Sequence, residues 1–151
     1  MARYSADMNK ATSSTTVAVG AVYCPGSGMR RVKLYDITFG SETTAADNAI
    51  LHVLNRSTTA PTATAFTALP LDPADAAAVT LVGENATVQG TNTAGAILLS
   101  VPLNQRATFR WVAAPGGELV IPATASNGVH FNTPTATNTP AITINCHFEE
   151  Q

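Results

Sequence analysis

The chain has 151 residues, 45% of them hydrophobic, which suits one domain with a core that needs no metal or disulfide to fold. Charged residues make up only 12%, against a usual share of about 25%, and the formal net charge of −2 argues against nucleic acid as a partner. No apolar run approaches the roughly 20 residues that span a bilayer, and the N-terminus lacks the apolar segment of a signal peptide. We therefore expect a protein made in the cytoplasm, with neither nucleic acid nor a membrane as its partner.

The scarcity of charge is accompanied by many alanine and threonine residues. Such small side chains leave a surface that packs closely against another protein, whereas a free monomer normally carries more Lys and Glu for solubility. One interpretation is that much of this surface is an interface. The other is that threonine is frequent simply because it favours strands.

The first predicted element is an extended arm over residues 1–10, which is either frayed or paired with a neighbouring subunit. Residues 11–151 are expected to form the folded domain. Its first strand is predicted within Thr15–Cys24, and the CPGSG that follows is a strong turn signal, so we expect a hairpin there.

The next predicted strand changes phase along its length. Its apolar positions are first Val32 and Leu34, and then Tyr35, Ile37 and Phe39. One extra residue in a strand has this effect. The pattern therefore predicts a β-bulge near Leu34 and Tyr35, or else a strand that is buried on both faces.

Two strands and a short helix are predicted in the middle of the chain. Ala49–Asn55 is apolar on both sides, which indicates a central strand, while the prolines around Thr64–Ala68 restrict that segment to a sheet edge. Asp72 before Pro73 is a good helix start, so the sequence predicts one or two helical turns ending at Val79.

The most apolar run outside the predicted hairpin described below is Ala96–Leu103. Because Pro102 lacks a backbone N–H and removes one hydrogen bond from the ladder, we expect this strand to end there or to lie at an edge. A further short strand is predicted over Ala86–Gln89, between turns marked by glycines.

The segment Arg106–Pro122, RATFRWVAAPGGELVIP, predicts a β-hairpin around its PGG turn. Since the side chains of a strand alternate between faces, Phe109 and Trp111 lie on one face and Arg106 and Arg110 on the other. The element thus directs its aromatic rings towards a core and its two guanidinium groups towards the opposite, outer face.

The C-terminal segment has the most regular alternation in the chain, with apolar side chains at Ile142, Ile144, Cys146 and Phe148. In total, eight to ten short strands and at most one short helix are expected. This content predicts an all-β fold, a single-domain β-sandwich of the jelly-roll kind, with a barrel as the second choice.

The run Asn104–Phe131, together with the opening MARYS and the segments RRVKLYDITFGSE and LDPADAAAV, resembles capsid decoration (cement) proteins of tailed bacteriophages. The resemblance implies an all-β structural protein that forms a homotrimer on the outer surface of the virion. Its partners would be the major capsid protein and copies of itself, and it would be no enzyme. The alternative is a carbohydrate-binding or host-adhesion module on the virion surface.

The candidate contact residues are mainly basic. A guanidinium group binds carboxylates in two-point geometry and tolerates partial burial, so these residues are expected either to contact acidic groups of another subunit or simply to be solvated. The candidates are the pair Arg106 and Arg110, the cluster Arg30, Arg31 and Lys33, and Tyr4 in the arm.

Metal and cofactor sites have little support in the sequence, so no cofactor is predicted. His52, His130 and His147 are far apart and lack metal-site spacing, which favours positions at the surface or rim. A cation bound by Asp72, Asp75 and Glu84 is a minor alternative, because helix capping explains the first two.

Catalytic motifs are likewise missing from the sequence, since it contains no GxSxG elbow and no activated-nucleophile context. Cys24 and Cys146 would pair only if their strands were neighbours. Two widely separated cysteines in a chain that is not exported are more often free thiols.

Overall fold

The computed structural model describes residues 1–42, 45–136 and 138–151, and these residues form twelve strands in two antiparallel sheets. Within them, no helix is long and apolar enough to cross a membrane. The strands are β1 (Arg3–Lys10), β2 (Gly20–Tyr23), β3 (Val32–Ser41), β4 (Ala49–Ser57), β5 (Thr62–Thr67), β6 (Leu69–Pro70), β7 (Leu81–Val88), β8 (Asn92–Asn104), β9 (Phe109–Val112), β10 (Leu119–Ile121), β11 (Gly128–Asn132) and β12 (Ile142–Glu150).

The two sheets pack face to face and enclose one hydrophobic core, which confirms the predicted single-domain β-sandwich. Sheet A has the order β10-β3-β12-β1-β6, with β9 also paired to β3, and sheet B has the order β5-β7-β2-β11-β4-β8. β3 pairs with β12 in sheet A, and the next strand, β4, pairs with the preceding strand β11 in sheet B, so these pairings are nested along the chain.

The C-terminal strand β12 follows its predicted alternation. Ile142, Ile144, Cys146 and Phe148 are all buried, and the residues between them are half-buried on the outer face. Across the core, the ring of Phe39 in sheet A lies 6.4 Å from that of Phe131 in sheet B. Aromatic and branched side chains from both sheets therefore close the sandwich.

The predicted bulge is present at Tyr35. In the pairing of β3 with β12, His147 faces Asp36 and the next residue, Phe148, faces Leu34, so Tyr35 is left without a partner. The extra residue shifts the alternation by one position, so that the side chain of Ile37, like that of Leu34, points into the core and is buried. As a result Tyr35 and Asp36 come together on the outer side of sheet A.

The predicted hairpin is wrong in its pairing. β9 and β10 both pair with β3, with Phe109 opposite Phe39 and Leu119 opposite Leu34, so they form one interrupted edge strand and do not pair with each other. The turn at Ala114–Gly117 lies in the short loop that joins β9 to β10. This loop leaves the sheet opposite the bulge, where Ala113 N–H donates to Tyr35 O at 2.8 Å.

The N-terminal segment is extended, but it is not an arm separate from the domain. β1 pairs along its whole length with β12, from Arg3 opposite Glu149 to Lys10 opposite Ile142, and it also pairs with β6. The reason is that inward and outward side chains alternate along β1, although the inward positions include small and polar residues and so give no clear apolar pattern in the sequence. The side chains of Tyr4, Ala6, Met8 and Lys10 all point into the sandwich and are buried.

The helix predicted over 72–79 does not form. The Asp72 carboxylate accepts from Ala74 N–H at 2.9 Å, and Asp75 N–H donates to Asp72 O, so a single capped turn is made. The chain then straightens, because Glu150 Oε1 accepts the amides of Val79 and Thr80. A long-range acceptor has replaced the hydrogen bonds that a second helical turn would make.

The hairpin expected around CPGSG does not form, because β2 lies in sheet B, where it pairs with β7 and β11, and the next strand β3 lies in sheet A. Three predictions about strand position are confirmed. β4, which contains Ala49–Asn55, lies inside sheet B, while β5 and the proline-containing β8 are its two edges. The short strand expected over Ala86–Gln89 is the end of the longer β7. Cys24 and Cys146 are free and buried.

Candidate functional site

Arg110 is bound to a carboxylate of its own chain. Its Nε and Nη2 atoms donate to Oδ1 and Oδ2 of Asp36 at 2.9 and 2.5 Å, while most of the arginine side chain stays exposed. The hydrogen bond from Arg110 lowers the pKa of Asp36, and partial burial opposes this. The two-point contact expected with another subunit is therefore made within the chain.

The remaining basic candidates are spread over the surface. Arg106 is exposed in the turn before β9, and its Nε atom donates to Ala45 O at 3.4 Å. Arg30 and Arg31 are exposed just before β3. Lys33 is half-buried, and its Nζ lies 3.9 Å from Glu149, an ion pair of the kind worth about 0–1 kcal/mol.

Tyr4 is not available as a surface contact. Its side chain is 2% exposed, its ring stacks on Phe148 with centroids 5.5 Å apart, and its hydroxyl donates to Ala76 O. The expectation of an interface role is therefore wrong for this side chain. It fails because Tyr4 alternates inward in β1, where a large aromatic side chain fills the core.

The expectation that the histidines lie at the surface or rim is wrong for two of them. His52 and His130 are almost fully buried, and burial lowers the pKa of each to about 4. Neither ring nitrogen of His52 has a hydrogen-bond partner among the described residues. His147 is half-buried, with its Nδ1 atom 3.6 Å from Asp36 Oδ2.

His130 belongs to a polar network that could not be predicted from the sequence, because its members come from three segments that are far apart in the chain. His130 Nδ1 lies 2.7 Å from Asn92 Oδ1 and 3.1 Å from Gln89 Nε2. Gln89 also donates to Asn132, and Gln89 Oε1 accepts Ala18 N–H. The network ties the loop between β7 and β8 to the outer side of sheet B.

No group of three or more potential metal ligands occurs in the part of the chain that the structure describes. Two of the three acids considered for a cation are used in other ways. Asp72 caps its turn, and Glu84 Oε2 accepts Asn9 N–H at 2.9 Å from the neighbouring sheet.

The edge strand β8 carries the longest uncharged exposed surface on one strand. It has 13 residues, NTAGAILLSVPLN, and none of them is charged. Ile97 is 56% exposed, and Leu98, Leu99, Val101 and Leu103 are each only half-buried. We call this strand with its free outer side the β8 edge.

Natural edge strands are usually short, or they carry charges that prevent pairing with another chain. Other features make the β8 edge less regular. Pro102 interrupts its row of hydrogen-bonding groups, and its pairing with β4 has two register shifts, the first of which leaves Leu98 without a partner. The sequence predicted the edge position from Pro102, but not that apolar side chains of this strand would stay partly exposed.

Comparison with known proteins returns no matching family model, no similar curated protein and no similar solved structure.

Proposed function

We propose that this protein is a structural virion protein, a capsid decoration or cement protein that binds the outer surface of a phage head. In this role it forms a homotrimer and bridges neighbouring subunits of the major capsid protein. The resemblance of its sequence to such proteins suggests the role. A rigid sandwich with a charge-poor surface suits it.

The observation that carries the proposal is the β8 edge. A long uncharged strand with half-buried leucines and an exposed isoleucine is a poor surface for a free monomer, since it offers backbone groups and apolar area to other chains. Contact with another subunit removes this area from water at about 25 cal/mol per Å² before the costs of association.

The mechanism is mechanical. Each trimer makes several moderate contacts with adjacent coat subunits, and linked contacts gain avidity without any single strong one. Outward stress on a filled head must then break several contacts together before two coat subunits separate. No reaction is required, and the rigidity of the two-sheet core transmits the load between contacts.

The test uses the purified protein and phage heads that lack decoration. Light scattering after size-exclusion chromatography should give three times the mass of the 15.6 kDa chain, and the protein should co-sediment with the heads in a saturable manner. Bound heads should also withstand heating better than bare ones. A monomer that does not sediment with heads would contradict the proposal.

A host-adhesion module is the second candidate, because one depression has features that suit a sugar. Tyr35, Glu118 and Glu149 line a hollow of about 260 Å³, which combines a ring with carboxylates that accept from hydroxyl groups. Arg3 opposes this role, since its guanidinium carbon lies 5.8 Å from the Tyr35 ring centre and covers the ring. Binding on a glycan array that is lost in Tyr35→Ala would favour adhesion.

A further inference from the structure

Lys10 places a positive charge inside the sandwich. It ends β1 at an inward position, it is 7% exposed, and its Nζ atom donates to Ala86 O at 2.6 Å. None of the ion pairs among the described residues includes it. Burial lowers the pKa of Lys10, and among the described residues no carboxylate offsets this effect. An ammonium group that has lost most of its hydration needs more than one carbonyl acceptor to compensate.

Lys10 lines an open depression of about 520 Å³, which we call the Lys10 pocket. It lies between the segment that follows β1, strand β7 and the segment before β12. Six of its ten lining residues are Ser or Thr, and among the described residues none that lines it is acidic. The hydroxyl-bearing residues next to Lys10 in the sequence are Thr12, Ser13, Ser14 and Thr15.

Ser13 gives a second and independent indication of a ligand. It is 2% exposed and lines the pocket, but its Oγ atom has no hydrogen-bond partner among the described residues. Buried hydroxyl groups are normally hydrogen-bonded, and each exception calls for an explanation. A ligand in the pocket would accept from Ser13 Oγ–H and from the unused protons of the Lys10 ammonium.

The segment that carries Ser13 is held in place by hydrogen bonds on both sides. Ser13 N–H donates to Pro140 O at 3.1 Å, and Thr133 Oγ1 donates to Ser14 O at 3.2 Å. Ser14 Oγ in turn accepts Thr16 N–H. The donors are therefore fixed before a ligand arrives, which reduces the entropy cost of binding.

We propose that the Lys10 pocket binds an oxyanion, either a carboxylate or a phosphate. The site offers one ammonium group and several hydroxyl donors, which attract negatively charged oxygen atoms. Because the described lining contains no acid, no carboxylate there repels such a ligand. Two sources supply this chemistry: an anion dissolved in the medium, or an acidic side chain of a neighbouring protein. The site does not depend on the proposed role at the capsid.

The experiment uses the fact that the chain contains only two lysines, Lys10 and Lys33. NMR spectra of the lysine Cε and Nζ groups are recorded while sodium phosphate, or in a second series N-acetylglutamate amide, replaces sodium chloride at constant ionic strength. Lys33, which pairs with Glu149 on the outer face, is the internal control. The Lys10 signals should shift along a saturating curve, and the Lys33 signals should hardly move.

The two probes distinguish the sources. Saturation by phosphate alone assigns the site to a dissolved or phosphoryl ligand, and saturation by the carboxylate probe assigns it to an acidic side chain. Parallel movement of both lysines, or no saturation of Lys10 by either probe, overturns the proposal.

Two variants check that binding occurs in the pocket. Ser13→Ala should weaken binding by about tenfold, the factor that a hydrogen bond to a charged group typically contributes. Lys10→Met should abolish binding of phosphate, followed through the amide signals of residues 12–15. Should Lys10→Met fail to fold, Ser13→Ala and the wild-type titration still decide the matter. An unchanged affinity in Ser13→Ala would overturn the assignment to this pocket.

Discussion

Arg110 in β9 donates two hydrogen bonds to the carboxylate of Asp36 in β3, from Nε to Oδ1 and from Nη2 to Oδ2. The contact exists because of the bulge at Tyr35, which turns Asp36 to the outer side of sheet A. The contact therefore occupies the Arg110 guanidinium group, which was expected from the sequence to bind another subunit or to be solvated. It also holds the edge strand β9 against β3.

The first prediction is that Arg110→Ala lowers stability at neutral pH more than in acid. The pKa of folded Asp36 is below its ordinary value of 3.8, so the unfolded state binds more protons near that pH. The stabilisation is complete above this value and is lost as the pH falls through the folded pKa. Urea unfolding of wild type and variant should therefore differ clearly at pH 7 and converge well below pH 3.8.

Arg106→Ala is the matched control, because Arg106 is also exposed but no ion pair to it occurs among the described residues. Its unfolding midpoint should stay close to that of wild type at both pH values. Arg110→Lys should recover only part of the loss, since an ammonium group cannot make the two-point contact. An Arg110→Ala deficit that does not change with pH would contradict the assignment.

A second prediction concerns acid destabilisation through His52. Burial holds the pKa of this histidine at about 4 in the folded state, against 6.5 when exposed. The unfolded chain therefore binds the additional proton between these values, and stability falls as the pH drops through this window. The full shift corresponds to about 3 kcal/mol.

His52→Leu should remove the contribution of His52 and leave that of His130, whose pKa burial also lowers to about 4. At pH 7 the change in unfolding free energy should be below about 1.5 kcal/mol, because two unpartnered ring nitrogens are replaced by apolar atoms. Between pH 6.5 and 4 the variant should lose less stability than wild type, as measured by urea unfolding at several pH values.

A third prediction tests the packing of the loop over His130. A Cβ atom added to Gly90 would lie 2.3 Å from Thr59 O and 2.7 Å from the His130 ring. Gly90→Ala should therefore destabilise the fold by about 1–3 kcal/mol, the usual cost of overpacking. Thermal unfolding followed by circular dichroism measures the effect.

Gly26→Ala is the matched control for Gly90→Ala, since a Cβ at Gly26 meets nothing within 4 Å. Its melting temperature should be unchanged or slightly raised, because alanine restricts the unfolded chain more than glycine does. Equal losses in the two variants would mean that the close approach at Gly90 is not what holds the loop.

A fourth prediction tests whether the β8 edge, and not another exposed apolar position, makes the contact with other subunits. Ile97 and Val88 lie in the same sheet and are 56% and 58% exposed. Ile97→Glu should abolish trimer formation or binding to heads, whereas Val88→Glu should leave both unchanged, because only the first places a charge on the proposed contact. Size-exclusion chromatography and co-sedimentation report the two properties, and melting curves confirm that both variants fold.

Local features of the sequence determined the strands and some of their details. The alternation from Ile142 to Phe148 predicts one strand with one buried face, and the change of phase at Leu34 and Tyr35 predicts the bulge. Pro102 predicts an edge. Each of these signals depends on neighbouring residues only, since strand periodicity and the missing proton of proline are local properties.

Pairing between distant segments was decided by the tertiary structure alone. Residues 3–10 form an inner strand of sheet A because they pair with β12, which lies more than 130 residues away in the sequence. Glu150 prevented a helix after Asp72 by accepting two amides from the end of that segment. The burial of His52 and Lys10, and the union of Arg110 with Asp36, likewise depend on which strands are neighbours. A single sequence carries no local signal for such contacts, because their free energy arises only when both partners are already in place.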